Sequence, residues 1–147
     1  MSGTVSVDIA ASAVSALNGA DLSPPFTATR TYLAVYDIAD LGVLRVDVIA
    51  ATMAVERLDL SSRHRFTYQT DIVVQKRVVA SVDSIDPLMS LMEQIVDLFR
   101  NLPLPGTVCP RYECVEIEYR PYVAADWLDG RGVFGAVATL THRIGRP

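Results

Sequence analysis

Residues 63–100, RHRFTYQTDIVVQKRVVASVDSIDPLMSLMEQIVDLFR, decide the fold class because the hydrophobic period changes once within them. Between residues 66 and 75 the side chains alternate, which is typical of a strand with one buried face. The predicted buried face consists of Phe66, Tyr68, Thr70, Ile72 and Val74. The opposite, outward face carries Arg63, Arg65, Thr67, Gln69 and Asp71.

The second half of this stretch predicts an amphipathic helix over residues 86–101, because apolar side chains recur there at three- and four-residue steps. Asp86 is the expected N-cap and Pro87 the expected first helical residue, since both types favour these positions. Pro103 follows the expected end of the helix. The stretch therefore predicts a strand followed closely by a helix.

The rest of the chain predicts one further helix and several strands. Val5, Ile9, Ala13, Ala16 and Leu17 share one face of a helix that Asn18 and Gly19 close. Strands are expected near residues 27–36, 43–50, 112–120 and 132–143, a single helical turn is expected within residues 37–42, and residues 51–60 fit either a long hairpin arm or a loop. In the third of these strands Val115, Ile117 and Tyr119 are expected inward, and Cys114, Glu116, Glu118 and Arg120 outward.

These elements predict a single α+β domain over residues 1–147, with one mixed, mainly antiparallel sheet and helices packed on one face. Half of the 147 residues are hydrophobic, which favours surface that a partner covers. The net charge of -4 argues against duplex DNA binding as the main role. Neither a membrane-spanning run nor a signal peptide is evident, so assembly in the cytoplasm is expected.

Several segments in order resemble the tail-terminator, or tail-completion, proteins of long-tailed bacteriophages. The segments that carry the resemblance are FTATRTYLAVYD at residues 26–37, SSRHR at 61–65, VVQKR at 73–77, DSID at 83–86, LMSLMEQIVDLFR at 88–100 and GVFGAVATLTHR at 132–143. A short helix-like piece at residues 123–128 precedes the last of these segments. Leu33 and Ala34 depart from the proline-containing version of the opening strand.

The resemblance implies a structural virion protein and no enzymatic activity or cofactor. Such subunits form a ring, typically a homohexamer, that caps the tail tube, ends tube polymerisation and joins the tail to the head-side connector. The implied partners are other copies of the chain, the tail tube protein and the connector or stopper protein, with DNA passing transiently through the lumen. The implied location is the tail or neck of a virion, or of a related gene-transfer particle or contractile injection system.

Candidate interface residues follow from this interpretation and from the outward rows. They are Arg63, Arg65, Gln69, Asp71, Glu116, Glu118, Arg120, Tyr122 and Trp127. Large aromatic residues such as Tyr122 and Trp127 supply desolvated contact area, whereas Phe134 is expected in the core.

Chemical sites find little support in the sequence. Cys109, Cys114, His64 and His142 lack the spacing of a structural zinc site, so no metal is expected. No motif surrounds a potential nucleophile, and the aspartates that recur at three-residue steps fit helix starts and turns. The alternatives that stay open are another neck or tail component, such as a head–tail stopper or tube subunit, and a small cytoplasmic enzyme or regulator.

Overall fold

A computed structural model describes residues 4–33, 41–58, 63–79, 82–126 and 131–146. Within these residues the chain has two helices and seven strands, which confirms the predicted α+β class. The elements are α1 (Val5–Gly19), β1 (Ala28–Arg30), β2 (Arg45–Arg57), β3 (His64–Val79), α2 (Val82–Phe99), β4 (Leu104–Pro105), β5 (Arg111–Tyr112), β6 (Cys114–Asp126) and β7 (Arg131–Arg146).

The main sheet has the strand order β1-β2-β3-β7-β6, and β4 and β5 form a separate small ladder. β1 lies parallel to β2, while β2, β3, β7 and β6 pair in antiparallel fashion. The sheet is therefore mixed and mainly antiparallel, as predicted. The alternation in β3 is confirmed at Tyr68, Thr70, Ile72 and Val74, which are buried, and at Gln69, which is exposed. Phe66 is only partly buried, and Val73 on the opposite face is buried as well.

Both helices pack against the same face of the sheet, which we call the core face. Val48, Ile72 and Ala138 stand in register across β2, β3 and β7 on this face, and each is fully buried. They join one cluster with Ile9 and Leu17 of α1 and with Leu91, Met92, Ile95 and Phe99 of α2. Burial of these side chains supplies most of the driving force for folding, at roughly 1.5–3 kcal/mol each.

The first helix has the buried face that its sequence predicts, with Val5, Ile9, Ala13 and Leu17 inside, although Ala16 is only partly buried. Its end is tied to the sheet by the side chain of Asn18. The Asn18 amide oxygen accepts the backbone N–H of Ala28 at 2.8 Å, and its Nδ2 donates to the Ala28 carbonyl at 3.1 Å. This pair of bonds fixes the start of β1 against the helix.

The second helix starts earlier than predicted. It begins at Val82 rather than after Asp86, so Pro87 lies inside the helix, and it ends at Phe99. Pro87 withdraws only one N–H, the donor to the Asp83 carbonyl, and both residues are exposed, which keeps the cost of the lost bond low. Ile85 meanwhile packs against the core, which holds the first turn in helical form.

Two further element predictions need correction, and one open alternative is decided. β1 is only three residues long, and the part of the predicted strand beyond residue 33 lies outside the described residues. Most of the helical turn predicted at 37–42 and residues 127–130 lie outside them as well. Residues 51–57 belong to β2 and pair with β3, so they form the hairpin arm rather than a loop. Residues 123–126 continue β6 instead of forming a helix-like piece.

The inward and outward assignment in β6 was wrong at its start because of a β-bulge. Cys114 pairs with His142 and Glu116 pairs with Thr141, so Val115 is an extra residue between them. Val115 is consequently 50% exposed, and Cys114 is half-buried on the core face. Ile117 and Tyr119 do face the core, as predicted.

Candidate functional site

The two charged rows that the sequence predicts come together on one face of the sheet. β3 and β6 flank β7, so Asp71 and Glu118 lie on either side of Thr139. In the next row Gln69 and Glu116 flank Thr141 in the same way. These residues point away from the helices, and we call this surface the polar face.

Hydrogen bonds and ion pairs run across the polar face between neighbouring strands. The Thr139 hydroxyl donates to an Asp71 carboxylate oxygen at 2.7 Å, and the Thr52 hydroxyl donates to the Gln69 amide oxygen at 2.7 Å. Arg65 lies 3.7 Å from a Glu56 carboxylate oxygen. Each such exposed ion pair contributes about 0–1 kcal/mol, so the pairs balance charge more than they stabilise the fold.

β6 forms one margin of the polar face, and its residues Glu116 and Glu118 on this face are acidic. Arg120 lies 3.8 Å from Glu118, and Arg111 pairs with Glu113. The carboxylate of Glu116 is exposed and forms no ion pair with a residue that the structure describes. The surface therefore has mixed charge and an acidic margin, with apolar residues such as Ile49, Val73 and Val137 among the polar ones.

The distal arm of the hairpin, residues 51–58, extends beyond the part of the sheet that the helices cover. Every one of these residues is exposed. Met53, Val55 and Leu58 are exposed by 56%, 51% and 41%, although Met53 and Val55 lie on the core face of the strand. Phe66 and Tyr68 stack beside them on β3, with ring centroids 6.4 Å apart. The arm thus presents an apolar surface to the outside.

Both edges of the main sheet carry strand backbone that no described strand pairs. β1 pairs only with residues 46–48 of β2, which leaves the edge of residues 51–57 open. β6 is the last strand on the other side, so its outer edge is open along its described length. Long open edges of this kind are where another chain can add.

A cleft of about 700 Å³ lies beside β1 and the start of β2. Its lining includes Phe26, Val43, Arg45, Asp47 and Lys76. Asp47 is almost fully buried and accepts a hydrogen bond from the Thr29 hydroxyl at 2.8 Å. Lys76 is half-buried and forms no ion pair with a described residue.

His142 is fully buried opposite Cys114, and neither of its ring nitrogens has a hydrogen-bond partner. Burial lowers the pKa of His142 to about 4. Burial also raises the pKa of the Cys114 thiol, whose Sγ donates to the Glu116 carbonyl at 3.3 Å. Both groups are therefore neutral near pH 7, which does not suit a nucleophilic cysteine and its base.

Metal binding finds no support in the part of the chain that is described. No three His, Cys, Asp or Glu side chains are grouped there so that they could hold an ion. Across the same residues, no helix is long and apolar enough to cross a bilayer.

Asp8 makes a contact that the sequence did not reveal. Its carboxylate accepts hydrogen bonds from the backbone N–H groups of Thr107 and Val108, at 2.9 and 3.0 Å, and from the Tyr112 hydroxyl at 2.6 Å. Partial burial raises the pKa of Asp8, but these hydrogen bonds outweigh it, so the pKa lies below its usual value. Burial and the bond to Asp8 together raise the pKa of Tyr112. This network attaches the loop of residues 106–110 to α1.

The remaining predicted interface residues are placed as follows. Arg63 lies just before β3, and its carbonyl accepts the Leu58 N–H at 3.1 Å at the end of the β2–β3 pairing. Tyr122 contributes backbone to β6, but its side chain and the whole of Trp127 lie outside the described residues. Phe134 is buried in the core, as predicted.

Comparison with known proteins does not assign the chain to a family. No protein-family model matches the chain, and a search of curated proteins finds no match.

Proposed function

We propose that this chain is a structural subunit that forms a ring at the end of a phage-type tail tube, ends tube growth and joins the tail to the head-side connector. The observation that carries the proposal is the division of the sheet into two faces and two edges. Helices cover the core face, while the opposite face gathers Asp71, Thr139 and Glu118 into one hydrophilic surface. The open edges at β2 and β6 lie on opposite sides of the same sheet.

This layout suits a ring because contacts between different edges of identical subunits are heterologous. Such contacts propagate in one direction and close when the rotation between subunits divides a full turn. With the polar face turned inward, the channel would be lined by residues such as Gln69, Asp71 and Glu118. A hydrophilic lining of mixed and acidic charge limits adhesion of DNA phosphates as the genome passes.

The distal hairpin arm supplies a surface for the partner above or below the ring. Met53, Val55 and Leu58 are exposed on an arm that extends past the helical layer. Exposed apolar groups of this size favour a protein contact. In our proposal this arm contacts the tube protein or the connector, and the role is stoichiometric rather than catalytic.

The mass of the untagged protein, measured by mass photometry over a concentration series and paired with negative-stain imaging, tests the proposal. We expect closed rings of about six subunits with a central channel, the size that the family resemblance implies. A stable dimer without rings, or a monomer at every concentration, would contradict it.

A further inference from the structure

We infer that the cleft beside β1 and β2 is the docking site for the acidic β6 edge of a second copy of this chain. In this contact Lys76 of one copy forms an ion pair with Glu116 of the other. The inference rests on the proposed ring and names the contact that closes it. Two observations support it independently: complementary charge in the cleft and on the β6 edge, and an apolar residue exposed beside each charged group.

The cleft provides the basic half of the contact. Lys76 is the only lysine of the chain, lines the cleft and has no ion-pair partner among the described residues. Arg45 lines the same cleft. Val43, which is 65% exposed, and Phe26 provide an apolar wall. A partly buried cation beside apolar groups favours a carboxylate carried on an apolar segment.

The β6 edge provides the acidic half. Glu113 and Glu118 each have an arginine neighbour, whereas Glu116 has no ion-pair partner in the described part of the chain. The β-bulge places Val115 immediately before Glu116 and leaves Val115 half-exposed. One short segment therefore presents an unpaired carboxylate and an apolar side chain together, matching the cation and the apolar wall of the cleft.

Topology determines how such contacts join subunits. The cleft lies at the β1–β2 side of the sheet and β6 lies at the other side. Lys76 on β3 pairs with Phe134 of β7, whereas Glu116 on β6 pairs with Thr141 of β7. These positions lie roughly 23 Å apart along β7, so one copy cannot satisfy both halves by itself. Each copy thus contributes Glu116 to the contact with one neighbour and Lys76 to the contact with the other. This is the head-to-tail arrangement that generates rings.

Charge reversal tests the pairing directly. We expect K76E and E116K each to remain monomeric at concentrations where the wild type forms rings, with at least about a tenfold weaker association, because like charges then meet at every junction. An equimolar mixture of the two variants, and the double variant K76E/E116K, should both regain rings. Regain in the mixture is diagnostic, since every junction there again pairs opposite charges.

Matched controls separate docking from folding and from general charge effects. Glu93→Lys on α2 and Arg100→Glu directly after α2 reverse exposed charges and should leave ring formation unchanged. Thermal unfolding of each variant establishes that it is folded; where Lys76→Glu does not fold, Lys76→Gln replaces it and should weaken association without abolishing it. Rings from both single variants at the wild-type concentration, or folded single variants that fail to associate when mixed, would overturn this pairing alone. A wild type that never forms rings would overturn the proposed function with it.

Discussion

Acidification should destabilise the protein through His142, the buried histidine on β7. Its ring has no hydrogen-bond partner and sits at 0% exposure between Tyr68 on β3 and Cys114 on β6. Burial lowers the pKa of His142 to about 4 from 6.5. Because the unfolded chain binds a proton near pH 6.5 and the folded chain does not, stability is fully present above that pH and is lost as the pH falls towards 4.

The magnitude follows from the difference between the two pKa values. That difference corresponds to about 3 kcal/mol once the pH is below both values, and to about 2 to 3 kcal/mol at pH 4.5. This is a large fraction of the roughly 5–15 kcal/mol by which domains of this size are stable. Asp8 acts in a separate window, because its lowered pKa means that its contribution is lost only below about pH 3.8.

Urea unfolding at several pH values between 7.5 and 4.5 measures the effect. In His142→Leu, which keeps the volume but removes the ring nitrogens, most of the loss between these pH values should disappear. The variant should also be more stable than the wild type at pH 7.5 by about 1–2 kcal/mol, because two unsatisfied buried nitrogens are removed. His64→Leu, which changes the other histidine and keeps His142, should retain the loss. An acid loss in His142→Leu as large as that in the wild type would refute the reasoning.

Three further predictions concern the loop network and the hairpin arm. Gly106→Ala should lower the free energy of unfolding by about 2 kcal/mol, because an added Cβ would clash with the Cys109 carbonyl oxygen and the Tyr112 ring and would meet the Asp8 carboxylate at 2.8 Å. Gly145→Ala meets nothing within 4 Å and should cost little, and equal thermal stabilities of the two variants would contradict this. Asp8→Asn should cost about 2 kcal/mol in urea unfolding at pH 7, since the side chain loses its negative charge and keeps one acceptor oxygen in place of two. An unchanged midpoint would argue against the network. Met53→Glu with Val55→Glu should leave thermal stability and ring formation unchanged but abolish co-sedimentation with tail tubes, and retained binding would exclude the arm as the contact.

Much of the fold could be predicted because strong periodicity follows burial. The alternation in β3 and the apolar face of α1 are local patterns, and the core that they predict is present. The predicted start of α2 was wrong because Asp86 and Pro87 form a good local helix start, whereas the packing of Ile85 against the core extends the helix towards Val82. Tertiary contact overrides a cap that the sequence alone favours.

The site was only partly predictable for similar reasons. Period-two patterns gave both polar rows, but only the strand order shows that β7 brings them together on one face. The bulge at Val115 was missed because it carries no glycine and an apolar residue there mimics an inward position. The Asp8–Tyr112 bond joins residues 104 positions apart, a contact that no local pattern encodes.

A cryo-electron microscopy reconstruction of the assembled wild-type protein tests the central claim most directly. The account predicts a closed ring in which the polar face, with Gln69 and Asp71, lines the channel and α1 and α2 lie on the outside. A ring with the helices facing the axis, or an assembly that does not close, would contradict it.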